Sequence, residues 1–195
     1  MKGFESERLR LRPWRTEDLP PFAEMSADPE VMAHFPALLD RAASDALALR
    51  CQALIEERGW GFWAVECKED RQFIGFVGLH IPMDALPFFP CVEIGWRLAR
   101  PYWHRGYASE AARVALRFGF VDLHLEEIVA FTTLGNARSQ AVMSRLGMRR
   151  TAENFQHPAL PEGHALREHC LYRLTRREWA REARVSLPLP AEGGA

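Results

Sequence analysis

The chain has 195 residues, which is enough for one sizeable hydrophobic core and requires no second domain. Hydrophobic residues make up 48% of the sequence and charged residues 26%, a balance typical of globular rather than disordered proteins. The formal net charge of −1 creates no overall field that would attract nucleic acid or an anionic membrane. We therefore expect neither as a partner.

The N-terminus and the cysteines indicate the compartment. Residues 1–14 lack the apolar segment of a signal peptide, and no run approaches the ~18 apolar residues of a membrane span. The four cysteines are widely spaced, with no CxxC pair, so we expect them to be reduced and mostly buried. These features predict a cytoplasmic protein. Residues 1–184 are expected to form one domain, and residues 185–195, which include two prolines and two glycines, a disordered tail.

The first third of the chain predicts one strand and three helices. Residues 9–13 alternate apolar with basic side chains, a period typical of a strand with one buried face. Thr16 begins a helix with acidic residues in its first turn, and Asp28, which precedes a proline, indicates a second short helix. A longer helix is expected over residues 40–58, because its apolar residues recur at helical spacing and Gly59 can end it.

The remainder of the chain predicts alternating strands and helices. Residues 60–67 and 73–81 flank a polar turn and are typical of a β-hairpin. After a proline-rich loop, the predicted elements are a strand at 91–99, a helix at 108–123, a strand at 127–133, a helix at 136–146, a strand at 169–174 and a closing helix from Thr175. This order indicates a mixed α/β architecture.

The most informative segment is 99–120, where a glycine-containing turn leaves a strand and leads directly into a helix. Gly106 allows a close turn, and the free N–H groups from His104 to Ser109 can point at a pyrophosphate on the positive end of the helix dipole. Arg105 can add charge. The sequence contains no GxxxxGK[ST] and no GxGxxG, which excludes two common nucleotide loops. The alternative is a plain strand-to-helix connection whose glycine only satisfies a tight turn.

Residues 103–108, WHRGYA, resemble motif A of the GNAT superfamily of N-acetyltransferases, written Q/R-x-x-G-x-G/A. Trp103 departs from the Q/R position, and the wider pattern YWxxGYAxEA is similar to the RimJ/RimL-type branch, which includes acetyltransferases of ribosomal protein N-termini. Residues 131–150 resemble the family's N-x-x-S/A segment followed by a helix that ends in Leu-Gly-Met. Both matches occur in the family's order and spacing, and the resemblance covers about residues 6–176.

The resemblance implies a GNAT fold, a mixed central sheet of six or seven strands with a V-shaped splay, flanked by helices. It implies an acyltransferase that carries acetyl groups from acetyl-CoA to a primary amine in a ternary complex, without a metal, as a monomer or homodimer. The coenzyme-binding residues that it implies are Arg97, Leu98, Ala99, His104, Arg105, Gly106, Tyr107, Ala108, Ser109, Asn136 and Ser139. The resemblance implies that Asn136 contacts the pantetheine or pyrophosphate region; the alternative is that it only caps a helix. It also implies that Ser139 lies near the coenzyme sulfur; the alternative is an exposed helical residue.

Acetyl transfer needs a neutral amine, a polarised thioester carbonyl and a proton for the departing thiolate. The resemblance implies that a backbone N–H within residues 94–98 polarises the carbonyl. Glu93 is the leading candidate for the base, directly or through a water, with a structural role as the alternative and His157 as second choice. Many family members have a tyrosine where this chain has Met143, which cannot donate a proton to the thiolate. Three alternatives stay open: Ser139 donates the proton, water donates it, or the thiolate leaves unassisted.

The acceptor side carries less sequence information. Residues 152–169 contain prolines and a glycine that indicate an ordered excursion, and we expect it to wall the acceptor side. Its histidines match no usual metal-ligand spacing, so we expect hydrogen-bonded histidines instead. Core packing is expected for the aromatic residues Trp60, Trp63, Phe88 and Phe89, with acceptor lining as the alternative. Two other functions remain open: a catalytically silent acyl-CoA-binding regulatory module, and a plain interaction domain.

Overall fold

The protein forms one mixed sheet flanked by helices, in a computed structural model that describes residues 3–82 and 85–186, the last four by their backbone alone. The strands are β1 (Phe4–Glu5), β2 (Leu9–Arg12), β3 (Phe62–Cys67), β4 (Phe73–His80), β5 (Glu93–Leu98), β6 (Glu127–Thr133), β7 (Arg149–Gln156) and β8 (Glu168–Thr175). The helices are α1 (Leu19–Ala27), α2 (Arg41–Arg58), α3 (Tyr107–Arg117), α4 (Ala137–Arg145) and α5 (Arg176–Ser186). The strand order is β1-β2-β3-β4-β5-β6-β8-β7, and β5 and β6 form the parallel pair.

The predicted mixed α/β architecture is confirmed, but the sheet has eight strands among the described residues rather than six or seven. Two strands left weak signals in the sequence. The first, β1, has only two residues, and β7 is an edge strand whose side chains are mostly exposed and therefore show no apolar alternation. The second predicted short helix is also wrong. The Asp28 carboxylate accepts a hydrogen bond from the Glu30 N–H at 2.8 Å, and the chain continues in turns instead of a helix.

The remaining helix boundaries differ modestly from the predictions. The helix predicted over 108–123 ends at Arg117, and residues Phe118–Asp122 continue it as a π-helical turn. The closing helix α5 extends to Ser186, and the rest of the predicted disordered tail, residues 187–195, lies outside the described part of the chain. All four cysteines are free, and three of them are buried. Within residues 3–82 and 85–186, no helix is both long and apolar enough to cross a lipid bilayer.

The two faces of the sheet pack against different helices. On one face, the Phe22 ring of α1 lies 5.0 Å from the Trp14 ring and 6.0 Å from the Phe76 ring of β4, measured between centroids. On the other face, α3 packs against β4 and β5 through small, fully buried residues such as Ala111 and Ala115. Small side chains on the buried helix surface let the helix approach the sheet closely.

A splay between β5 and β6 is the feature of the sheet that positions the site. Strand β5 pairs with β4 along its whole length, but it pairs with β6 only at Glu93 and Val129. The Val129 N–H donates to the Val92 carbonyl at 3.0 Å, and beyond that point the two strands part. The V-shaped splay expected for the fold is therefore present. It leaves one backbone edge of β5 open along most of the strand.

A buried ion network ties the end of β2 to the segment before α1. The Arg12 guanidinium donates to both carboxylate oxygens of Asp18, at 2.7 and 2.8 Å, and to Glu66 at 2.8 Å. These side chains are at most 7% exposed. Removing one carboxylate from such a network leaves a buried charge without its full complement of partners.

We therefore expect Asp18→Ala to lower the free energy of unfolding by about 3 kcal/mol, measured by urea denaturation. Asp45→Ala is the matched control, because it removes a pair with Arg41 on the surface of α2. That variant should change the free energy of unfolding by less than about 0.5 kcal/mol. Equal losses in the two variants would contradict the assignment of a stabilising buried network.

Candidate active site

A cleft of about 1260 Å³ opens where β5 and β6 part. It runs from the start of α3, across the splay, to the face of the sheet covered by α2. The predicted site residues that line it are Glu93, Arg97, Leu98, His104, Gly106, Tyr107, Ala108, Ser109, Asn136 and Ser139. The structure thus brings ten of the predicted residues to one cavity, while Ala99 and Arg105 are not part of its lining.

One end of the cleft is an open helix N-terminus. Gly106 has φ of 80° and precedes α3, and no side chain caps that helix. His104 also has a left-handed backbone, with φ of 61°. The first N–H groups of an α-helix have no partner within the helix, so those of α3 are available to a ligand. Gly106 is the residue type that this turn requires, because a side chain there would be strained. The geometry suits an anion.

Arginines from several elements line the cleft, and none of these four was predicted from the sequence. They are Arg8, Arg113, Arg138 and Arg145. Arg8 pairs with Glu110 at 2.6 Å, and the Arg138 guanidinium lies 4.1 Å above the Trp103 ring centroid. Arg138 and Arg145 are seven residues apart and therefore share a face of α4. That spacing was the only local signal for these cations.

Backbone groups of β5 line the slot between the splayed strands. The Val92 carbonyl points towards β6, and because alternate residues of a strand share an edge, the backbone groups of Ile94, Trp96 and Leu98 face the slot. The Trp103 indole N–H donates to the Leu98 carbonyl at 2.7 Å. Ala99 lies beyond the open edge, since its N–H donates to Ile74 at 2.9 Å and its carbonyl accepts from Tyr102 at 3.0 Å.

The bond from the Trp103 indole also accounts for the departure from the Q/R position of motif A. The indole ring packs against the core and ties the turn before α3 to the end of β5. A glutamine or arginine cannot supply the same combination of a large apolar ring and a single N–H donor. The substitution therefore has a structural function in this chain.

Asn136 and Ser139 lie at the start of α4, on the β6 side of the cleft. The Asn136 side-chain oxygen accepts from the Ser139 N–H at 3.2 Å, and its amide nitrogen donates to the Thr132 hydroxyl at 2.9 Å. The helix-cap role considered for Asn136 is thus present in the structure. Ser139 is partly exposed and lines the cleft. Met143 follows one turn later with 2% exposure and supplies no proton donor.

Glu93 lies at the point where the strands part. Burial raises the pKa of its carboxyl group to about 7, because the charged form loses its hydration. His80 of β4 lies directly across from it, and burial together with the Arg58 charge lowers the pKa of that imidazole. A carboxyl group with a pKa near neutrality is suited to proton transfer under physiological conditions.

The far end of the cleft has an aromatic wall. The rings of Phe131, His157 and His169 lie together, with centroids 5.9 Å apart for Phe131 and His157 and 5.0 Å apart for the two histidines. Burial lowers the pKa of both histidines, and for His157 the charge of His169 lowers it further. Ala159 and Leu160 also line the cleft, so the predicted excursion over residues 152–169 contributes to the lining through four of its residues. The wall is uncharged near neutral pH.

The other predicted aromatic and histidine residues lie elsewhere. Trp60 and Trp63 pack in or against the core, Phe88 packs on Phe131, and Phe89 is exposed; none of these four lines the cleft. His164 accepts a hydrogen bond from the Leu166 N–H at 3.1 Å. In the part of the chain that the structure describes, no three His, Cys, Asp or Glu side chains are grouped so that they could hold a metal ion.

The loop between α1 and α2 lines one side of the cleft, and nothing in the sequence predicted that it would lie there. It contributes Val31, His34 and Phe35 to the lining. The His34 imidazole nitrogen and the Thr133 hydroxyl are 2.9 Å apart and share a hydrogen bond, which fastens the loop to the end of β6. The loop was missed because its contacts are with residues distant in sequence.

Comparison with known proteins agrees with this geometry. Residues 8–149 match the family model described as the acetyltransferase (GNAT) domain. The chain is a member of the GNAT acetyltransferase family. The Bacillus subtilis protein YkkB is 32% identical to this GNAT acetyltransferase over 146 residues, which are 73% of this chain and 83% of YkkB. FsC-acetyl coenzyme A-N(2)-transacetylase of Aspergillus fumigatus is 33% identical over 95 residues, 49% of this chain and 40% of that protein.

A solved structure is similar over nearly the whole GNAT acetyltransferase. The crystal structure of the GNAT-family acetyltransferase from Bacillus anthracis gives a TM-score of 0.76 at 25% identity, and the match covers 91% of this chain and 100% of that one. The match includes the open mixed sheet flanked by helices. The family and the fold together make this protein an acyltransferase.

The raised pKa of Glu93 in this GNAT acetyltransferase predicts a pH-dependent stability. A group whose pKa rises from 4.5 to about 7 on folding favours the folded state below pH 4.5, and this contribution is lost as the pH rises through 7. Glu93→Gln removes the titration, so its melting temperature relative to wild type should increase between about pH 5 and pH 8. Thermal melts of both proteins across that range measure the difference. Glu69→Gln, in the turn after β3, is the control for the loss of a carboxylate outside the cleft.

Proposed function

We propose that the protein is an N-acetyltransferase that moves an acetyl group from acetyl-CoA to a primary amine by direct attack in a ternary complex. The observation that carries this proposal is the uncapped N-terminus of α3 beside the open edge of β5. A dinucleotide-sized ligand with phosphates at one end and an amide-containing arm at the other matches that pair of features. Acetyl-CoA supplies its acetyl group as a reactive thioester.

The residues of the cleft fit the coenzyme. The N–H groups of Tyr107, Ala108 and Ser109 would hold the diphosphate, with His104, Arg105 and Gly106 shaping the turn before them. The arginine-lined rim would complement the remaining phosphate charge. The open edge of β5 offers main-chain groups to the amide-containing arm, while Asn136 and Ser139 border it from the other side.

In the proposed reaction Glu93 takes the proton of the attacking amine, directly or through a water. The N–C bond forms as the thioester C–S bond breaks, and the electron pair of that bond leaves with the sulfur. A slot-facing N–H from Ile94 or Trp96 would polarise the thioester carbonyl. The loop that carries Phe35 and the aromatic wall at Phe131 would limit the access of water to the reacting atoms.

We propose Ser139 as the proton donor to the departing sulfur, because Met143 cannot donate a proton. Ser139→Ala is expected to lower kcat by about tenfold, a modest effect because a thiolate is a good leaving group that water can also protonate. Ser144→Ala is the control, since that exposed serine of α4 donates to the Gln140 carbonyl at 3.0 Å. A free-thiol assay measures both. An unchanged kcat in Ser139→Ala would remove Ser139 from the mechanism.

The proposals on the branch of the family, the compartment and the partners rest on the sequence. The segment YWxxGYAxEA supports a place in the RimJ/RimL-like branch, in which some members act on protein N-termini. We propose a cytoplasmic monomer or homodimer without nucleic acid or membrane partners, which the near-zero net charge supports.

The decisive experiment has two readouts. Acetyl-CoA should raise the melting temperature of the full chain, and thiol release from acetyl-CoA should depend on an added amine drawn from amino acids, peptides, polyamines and aminoglycosides. If the protein binds acetyl-CoA but releases no thiol with any of these acceptors, the silent regulatory module would be favoured. The methionine at position 143 also favours that module. The lack of any coenzyme binding would overturn both functions.

A further inference from the structure

Arg97 is a buried cation with unpaired hydrogen-bond donors. Its side chain is on β5, lines the cleft, and is 8% exposed. Two of its guanidinium nitrogens, Nε and Nη1, are fully buried and have no hydrogen-bond partner. Buried polar groups nearly always have partners, and a buried charge without one is costly. Such a group in a cleft indicates a ligand that supplies the missing acceptor.

The surroundings of Arg97 hold it in place without satisfying its donors. The centre of the guanidinium lies 4.0 Å from the centroid of the Phe35 ring and 5.3 Å from that of Phe76. Aromatic rings stabilise the cation through their faces but accept no strong hydrogen bond. The guanidinium therefore keeps donors without an acceptor, and a carboxylate is an anion that pairs well with arginine.

Arg97 and Glu93 point to the same face of β5. Their side chains are four residues apart, with Gly95 between them, so the face they share carries no other side chain from this strand. A strand rises about 3.3 Å per residue, which separates their α-carbons by roughly 13 Å. Both residues line the same cleft, so one small molecule bound there can lie near both side chains.

Resting on the proposed N-acetyltransferase function, we propose that the acceptor is a small amino carboxylate, whose carboxylate pairs with Arg97 while its amine lies towards Glu93. The proton lost by the amine passes to Glu93, and the amine nitrogen forms the new amide bond. Free amino acids and similar short amines have this chemistry. The Phe62 ring lies over Gly95, with its nearest carbon 3.0 Å from where a β-carbon would stand, so the acceptor would lie over this ring, which also lines the cleft.

The same residues disfavour polycationic acceptors. A polyamine or aminoglycoside would bring further positive charges towards Arg97, and the aromatic wall of Phe131, His157 and His169 offers no negative charge to compensate. The uncharged wall is suited instead to an apolar portion of the acceptor. Arg97 thereby determines the specificity for the acceptor rather than the acetyl donor.

The test compares amino acids with their carboxamides as acceptors for the full chain, with spermidine as a polycation. Wild type is expected to give kcat/KM values about thirtyfold higher for the acids than for the amides, as is typical of a lost charge-assisted pair. Arg97→Met should bring this ratio close to one, mainly through a higher KM for the acids. Arg97→Lys should keep part of the preference, because it retains the charge but not the fork.

Two controls separate this role from a structural one. Arg50→Met replaces an exposed arginine of α2 that does not line the cleft, and it should keep the wild-type ratio. The melting temperature of Arg97→Met without ligand should equal or exceed that of wild type, because a buried cation without a partner is unfavourable in the empty protein. Calorimetric titration of amino acids into the CoA-bound enzyme gives a readout independent of turnover.

The outcomes distinguish this proposal from the proposed function. Acetylation of amides or spermidine at least as efficiently as of the acids would overturn the amino-carboxylate proposal and leave the N-acetyltransferase intact. Preference for peptides with an acidic N-terminal residue over free amino acids would also overturn it, because the carboxylate would then belong to a protein. Arg97-dependent binding of amino acids without turnover would support the site and overturn the catalytic function.

Discussion

Gly106→Asp is expected to weaken acetyl-CoA binding by at least about a hundredfold, or about 2.7 kcal/mol. The backbone at this position has φ of 80°, which L side chains rarely adopt. The new carboxylate would also lie at the positive end of α3, where it would repel the phosphates that the turn is proposed to hold. Isothermal titration of acetyl-CoA into wild type and variant measures the change.

The matched control for this variant is Gly59→Asp at the end of α2. That glycine has φ of 82°, and a side chain there would meet no atom within 4 Å. The control thus carries the same residue change and similar backbone strain away from the cleft, and it should bind acetyl-CoA like wild type. If Gly106→Asp also bound with wild-type affinity, the diphosphate would not lie at the start of α3.

Glu93→Gln is expected to lower kcat/KM by about 10²- to 10³-fold at pH 8, the typical contribution of a general base. The contribution of Glu93 to wild-type kcat/KM should rise about tenfold per pH unit below pH 7 and level off above it, because burial raises the pKa of Glu93 to about 7 and only the deprotonated carboxylate can accept a proton. The variant should lose this rising limb. A limb at higher pH that both proteins share would belong to the acceptor amine.

His80→Gln is the control for the pH profile. His80 lies across from Glu93 in the register of β4 and β5, and its own pKa is lowered by burial and by the Arg58 charge. It should therefore be neutral where Glu93 titrates, and its replacement should leave a limb near pH 7 in place. A profile that is unaltered in Glu93→Gln but altered in His80→Gln would move the base to the histidine.

The elements that the sequence predicted well have local physical causes. The turn at Gly106 combines a glycine, a preceding strand and a following amphipathic helix, and each of these leaves its own pattern in the sequence. The face of Glu93 follows from strand alternation, and the cap at Asn136 follows from the side chain's preference for helix starts. Both could be placed without knowledge of the rest of the chain.

The features that escaped prediction depend on contacts between distant segments. β7 has mostly exposed side chains, so its pairing with β8 leaves no hydrophobic period. Phe35 reaches the cleft only because the His34 imidazole shares a hydrogen bond with Thr133, almost a hundred residues away. The unpaired nitrogens of Arg97 could not be predicted either. They result from the lack of a hydrogen-bond acceptor on the neighbouring elements β4 and α2 and on the loop that precedes α2.

The bond from the Trp103 indole to the Leu98 carbonyl joins the turn before α3 to the end of β5. An elongated molecule that touches both would find the spacing between its contact points already set before it arrives. Little flexibility would then be lost on association, which favours tight binding without a large contact area. Replacing that indole would therefore remove a hydrogen bond and also make the distance between the two contact points less well defined.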